Sequence, residues 1–218
     1  MQRVLVDADV LFSSTLRYWL LQFRVSMPSM FAVHTTEDIL AELISKLRDT
    51  HPRWDGRQTA RVRQDIIDVF DETITDFDGS VDYQGADEGD FHVHAAAVAS
   101  GANILLTCDD KLLRQPNADD LPYEAYHPDD FFVLLNDSAP LDVRDAVLEQ
   151  LKFHVSRHGA KNTGMVDRLV TAGCPTFADV VRVHLRDLAG TLSRVDRRRM
   201  RKNERLDVDV ASRVGGQE

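Results

Sequence analysis

Cysteine is almost missing from this chain: two thiols, Cys108 and Cys174, in 218 residues. Two cysteines build no disulfide framework, and the simpler expectation is a reduced, cytoplasmic setting. Long hydrophobic runs are missing as well. Nothing approaches the ~18 consecutive apolar residues of a membrane span. The longest candidate, Asp9 to Phe23, is interrupted by Ser13, Ser14, Thr15 and Arg17. No membrane is expected as a partner. The first residues reach charge at Arg3, without an apolar stretch and a small-residue cleavage pattern, so no leader is expected. Glycine and proline, at 11 and 7 residues, are too few for a low-complexity chain, and no internal repeat is visible.

Positive charge is scarce where it would be expected to meet nucleic acid. The formal net charge is −10, unevenly spread. Residues 1–140 carry 11 Lys and Arg against 25 Asp and Glu, whereas residues 141–218 carry 15 against 11. An acidic region with a basic tail is compatible with a solvated surface. It is equally compatible with acids that hold divalent metal, and charge alone does not choose.

Apolar patterning predicts strands at 3–6, 31–34, 103–107 and 123–126. It predicts helices at about 10–24, 36–48, 57–75, 90–100 and 128–135. Thr35 or Thr36 can cap the second of these helices. The polar segment from Asp76 to Gly89 reads as a loop with room for a short strand. Strands alternating with helices imply an α/β fold, a central parallel sheet flanked by helices in three layers. Asn136 to Pro140 is turn-like, and helices at about 141–157, 163–172 and 176–190 follow without a strand pattern. The expected organisation is a domain over 1–136, a small all-α extension over 137–190 and a basic tail over 191–218.

Parallel sheets gather ligands at the carboxyl ends of their strands. Asp7 stands at one such end and Asp109 just past another. Glu42 lies on the second helix, and Asp90 opens the helix carrying His92 and His94. Carboxylates drawn together repel one another unless a cation intervenes. Oxygen-only donors suit Mg²⁺, with Mn²⁺ able to stand in for it. Such an ion activates water and neutralises charge on a phosphodiester. Taken singly, each acid reads equally well as a helix cap or a surface charge. His92 and His94, two apart on a helix, point to different sides and are expected to be structural. Cys108 is expected to be a small buried filler.

Four blocks carry a resemblance. Val4-Leu-Val-Asp-Ala-Asp-Val-Leu11, Glu37-Asp-Ile-Leu-Ala-Glu42, Asp90-Phe-His-Val-His-Ala-Ala-Ala-Val-Ala-Ser-Gly-Ala102 and Ile104-Leu-Leu-Thr-Cys-Asp109 resemble the successive motifs of a PIN domain. Among PIN domains the chain is most similar to the VapC toxins of toxin–antitoxin pairs, over about residues 1–136. The resemblance implies a Mg²⁺-dependent endoribonuclease with Asp7 and Asp90 as main metal ligands. Glu42 would ligate directly or through water, Asp109 would complete the pocket, and Thr107 would orient it by hydrogen bonding. Asp9 departs from the Asn or Ser common in relatives and would add a supporting acid. The helical extension is a second departure. An antitoxin partner and a homodimer are implied in the same way.

RNA contact is expected from exposed cations. Arg53, Arg57 and Arg61 flank Trp54, and Arg198 and Arg199 lie in an arginine-rich stretch from Arg194 to Arg205. Two other functions compete. Asp7-Ala-Asp9-Val10 also matches the opening of haloacid-dehalogenase-like phosphatases, with Asp7 as nucleophile and Asp9 as general acid. That reading leaves Glu42 and the Asp90 block without a role, and no Lys lies between Arg48 and Lys111. The remaining alternative is a catalytically inactive RNA-binding module.

Overall fold

The computed structural model describes residues 1–85, 87–115, 118–158 and 164–189. Five short strands form one sheet: β1 (Gln2–Val6), β2 (Phe31–Thr36), β3 (Glu72–Ile74), β4 (Ile104–Leu106) and β5 (Glu124–Tyr126). Their order is β3-β2-β1-β4-β5, and every adjacent pair is parallel. The centre of the sheet is apolar without alternation, as strands covered on both faces must be. Val4, Leu5 and Val6 of β1 and Leu105 and Leu106 of β4 are fully buried.

Helices flank the sheet in two sets. α1 (Ala8–Phe12), α3 (Glu37–Thr50) and α4 (Gly56–Ile67) pack consecutively on one another. α2 (Ser14–Ser26), α7 (Pro128–Ser138), α8 (Pro140–His158) and α9 (Met165–Thr171) form the other set. α5 (Phe91–Ala99) and α6 (Asp110–Leu113) follow β3 and β4, and α10 spans 175–189.

Two expected elements differ from what forms. The helix expected over 10–24 is two helices, because Ser13 leaves helical geometry (φ −65°, ψ 111°) and caps α2 by accepting the Leu16 N–H. The helix expected over 57–75 stops at Ile67, and residues 72–74 become β3. Asp71 explains the switch. Its N–H donates to the Val33 carbonyl at 2.9 Å, and its carboxylate accepts the Val33 N–H at 2.8 Å while pairing with Arg24. These bonds seat the chain against β2, where the β-branched Thr73 and Ile74 suit a strand. Among the described residues of 76–89 no strand forms.

Residues on both sides of position 136 share one hydrophobic cluster. Phe177 of α10 lies edge-on to Trp19, Phe23 and Phe132, with ring centroids 5.2, 5.7 and 5.3 Å away. Asp129 of α7 caps α10, accepting the Phe177 N–H at 2.7 Å and the Thr176 N–H at 3.1 Å. Val143, Val147, Met165 and Leu169 join the same cluster as the sheet residues. The tail expected over 191–218 lies outside the described residues. Among the described residues no helix is long and apolar enough to cross a membrane.

Candidate active site at the carboxyl edge of the sheet

The strand order places the site. From β1 the chain moves outward to β2 and β3 on one side, then returns to β4 and β5 on the other. The seam between β1 and β4 is therefore the point where the winding direction reverses, and a crevice opens beyond the strand ends there. Asp7 and Thr107 are the first residues past β1 and β4, in register across that seam. The Asp7 N–H still donates to the Leu106 carbonyl at 3.0 Å.

Asp7 is held from two directions. Its Oδ1 accepts the Ala8 N–H at 2.6 Å, which caps α1, and its Oδ2 accepts the Thr107 hydroxyl at 2.7 Å. The Thr107 oxygen in turn accepts the Asp109 N–H at 3.0 Å. One threonine thus positions both acids. The Asp109 carboxylate accepts the Lys111 N–H at 2.6 Å and caps α6.

Asp9 on α1 and Glu42 on α3 meet at the ammonium of Lys46. Its Nζ is 2.8 Å from Glu42 Oε1 and also pairs with Asp9. Asp90 behaves differently. It stands at the N-cap position of α5 and yet makes no capping hydrogen bond. Its Oδ2 is buried without a hydrogen-bond partner. A plain capping role, the bland alternative for Asp90, therefore does not account for it.

The charges perturb one another. Burial pushes the Asp7 carboxyl up to about 6, opposed by the Thr107 and Ala8 hydrogen bonds and reinforced by Asp9 and Glu42. Burial also raises Asp90, with Asp109, Asp87 and Glu42 adding to the effect and Lys111 opposing it. Burial works against the Lys46 ammonium, but its bonds to Asp9 and Glu42 prevail and raise it. Glu42 thus acts on both halves of the site, the Asp7–Asp9 half and the Asp90–Asp109 half.

No family model, curated protein or solved structure matches the chain. The site is therefore judged on its own chemistry. Among the described residues no three His, Cys, Asp or Glu side chains are arranged to hold an ion together. The donor set nevertheless suits a hard divalent cation. It is made of oxygens, one of them buried and unpartnered on Asp90.

The other sequence candidates divide. Arg53, Arg57 and Arg61 are exposed and make no ion pair among the described residues, whereas Arg63 pairs with Glu37 at 2.7 Å. α4, which carries Arg57 and Arg61, packs on α3, the helix of Glu42. Arg198 and Arg199 lie outside the described residues. The two histidines do face different ways. The Nδ1–H of His92 donates to the Gly89 carbonyl at 2.9 Å, and its Nε2 is 3.8 Å from Glu42. His94 is buried against the Tyr123 hydroxyl at 2.8 Å. Burial and the neighbouring Asp9 and Asp7 push the Cys108 thiol up to about 12, so it is no nucleophile.

Four residues at the site were not singled out beforehand: Lys46, Asp87, Lys111 and Tyr83. Lys46 was legible, since Glu42 to Lys46 is the favourable i,i+4 spacing on a helix. Asp87 and Lys111 pair at 2.7 Å across 24 residues, and no local pattern announces that. Burial raises the Tyr83 hydroxyl to about 12, and the charges of Asp90, Asp87 and Asp109 add to it.

Proposed function

We propose that this chain is a Mg²⁺-dependent endoribonuclease of the PIN type that hydrolyses RNA phosphodiester bonds, the toxin of a toxin–antitoxin pair. The observation that carries the reading is the crowding of acids from four separate stretches at the reversal seam of the sheet. Asp7 there keeps a carboxyl raised to about 6. Perturbed acids in a crevice of this kind mark functional sites more often than structural ones.

Asp7 and Asp90 are the principal ligands in this reading, with Glu42 and Asp109 completing the set. The bound ion would polarise the phosphodiester and lower the pKa of water. The protein's own part is orientation. Thr107 holds the Asp7 carboxylate and the Asp109 backbone N–H through one hydroxyl. Lys46 balances Asp9 and Glu42, so an RNA phosphate meets less repulsion. Arg57 and Arg61 offer backbone phosphate contacts. The products carry 5′-phosphate and 3′-hydroxyl ends. The antitoxin is a small protein that covers the acidic crevice.

The test is cleavage of total cellular RNA by the wild type, Asp7→Asn and Asp90→Asn, with Mg²⁺ and with EDTA, followed by mapping of the ends. The expected result is metal-dependent cutting that falls at least about 100-fold in either variant. Wild-type protein that cuts no RNA with Mg²⁺ or Mn²⁺ overturns the reading. A short neighbouring gene for a protein that binds this chain and stops the cutting supports the toxin assignment.

A further inference from the structure

Beside the acids lies a cleft that the phosphodiester chemistry does not use. It is open, about 630 Å³ in volume, and walled by Ser80, Val81, Asp82, Tyr83, Glu88 and Phe91. That size falls in the range of small-ligand pockets. The Tyr83 and Phe91 rings meet edge to face, centroids 6.1 Å apart at 75°, so together they form a corner of aromatic surface. Phe91 follows Asp90 directly in the chain, so the cleft begins one residue from the acidic site.

The corner is built. A backbone hydrogen bond ties His94 to Asp82, and the same imidazole meets the Tyr123 hydroxyl at 2.8 Å and the Tyr83 ring at a centroid distance of 5.2 Å. The loop is thus anchored to the buried face of α5. Tyr83 folds back across Gly85 so closely that a methyl group at position 85 would fall within its ring. A side chain there would push the Tyr83 phenol aside.

The lining holds no cation, which disfavours a phosphate. It presents aromatic faces and two carboxylates that only accept hydrogen bonds. Flat rings bearing N–H donors match that combination, and unstacked bases are held in proteins by such faces. On the reading that the chain cuts RNA, we propose that this cleft seats one unpaired nucleobase adjoining the scissile phosphate. The base stacks on Tyr83, lies edge-on to Phe91 and donates from its amino edge to Asp82 or Glu88. Adenine, cytosine and guanine carry such an edge, whereas uracil places carbonyl oxygens there and is disfavoured.

The experiment uses full-length protein and short labelled single-stranded RNAs. These carry A, C, G, U or an abasic ribose at each position around a mapped cut. KM and kcat are measured with Mg²⁺, and binding is measured by anisotropy with Asp7→Asn. Tyr83→Leu is expected to raise KM and Kd about tenfold, the usual loss for one stacked base. The change in kcat should stay within about threefold. Tyr83→Phe should match the wild type, Gly85→Ala should mimic Tyr83→Leu, and the effect should vanish on the abasic RNA. Unfolding curves for each variant separate a lost contact from a lost fold. Tyr83→Leu that stays folded and binds every RNA as the wild type does overturns the cleft while leaving the nuclease reading intact. An equal loss on abasic RNA also overturns it. Base-dependent binding that Tyr83→Leu abolishes, in a wild type that never cuts, upholds the cleft and overturns the nuclease.

Discussion

The two ends of this molecule are built on opposite terms. Where α2, α7 and α10 meet, Trp19, Phe23, Phe132 and Phe177 are fully or almost fully buried in ring contact, and the buried acid Asp129 spends both oxygens on capping α10. At the carboxyl edge of the sheet, Asp7 is charged against its burial, and Asp90 keeps a buried oxygen without a partner. The first region lowers the free energy of the fold. The second raises it, and groups left at a local cost are the ones available to a substrate or ion. Removing a buried ring from the first region and neutralising the buried charge of Asp7 in the second should therefore move stability in opposite directions.

The largest effect should come from the aromatic side. Phe177→Ala removes a fully buried ring touching three others, and it is expected to destabilise by about 3–5 kcal/mol in urea unfolding. A loss below about 1 kcal/mol would mean that this packing does not anchor the fold.

Asp7→Asn should move the other way. The carboxyl titrates near 6 in the folded chain and near 3.8 in its ordinary state, so the folded chain binds the proton more tightly. The stability from protonation is fully present below about pH 3.8 and is lost as pH rises through about 6. The neutral amide should stabilise by up to about 3 kcal/mol at pH 7.5 in EDTA, and the gain should vanish by about pH 4. Thermal unfolding across that range checks both sign and window. Destabilisation at pH 7.5 would break the contrast between the two ends.

Thr107→Val keeps the shape and removes the hydroxyl shared by Asp7 and Asp109. It should cost about 1–2 kcal/mol, since two groups lose a partner. It should also reduce RNA cleavage about 10- to 100-fold, as loss of a ligand-orienting group does. Lys46→Met should be the mildest. The side chain is half-exposed, so its ion pairs contribute less than about 1 kcal/mol after solvent screening. A double-mutant cycle with Asp9→Asn measures the coupling directly.

The sequence was informative where the signal is local. The apolar run ending at Asp7, the one ending at Thr107 and the threonine that starts α3 are visible as patterns of a few residues. It misled at residues 68–75, where helical periodicity ran on through Val69 and Phe70. The ending there is set by Asp71 bonding to Val33, 38 residues away. At the site, Glu42→Lys46 spacing was readable, but Tyr83 was not, because the loop carrying it shows no periodicity and its ring is placed by His94 and Gly85.

Composition and periodicity alone determined an α/β chain with acids at strand ends, since strand and helix formation follow from side-chain spacing within a few residues. Which strands adjoin was decided by tertiary structure: β1 and β4, whose paired residues lie 100 apart in sequence, meet because a buried β1 needs a hydrogen-bonding strand along each edge. That pairing alone sets Thr107 against Asp7. The unpartnered oxygen of Asp90 and the aromatic corner beside it are likewise products of packing, because burial and the lack of a partner are properties of neighbours that no local stretch of sequence contains.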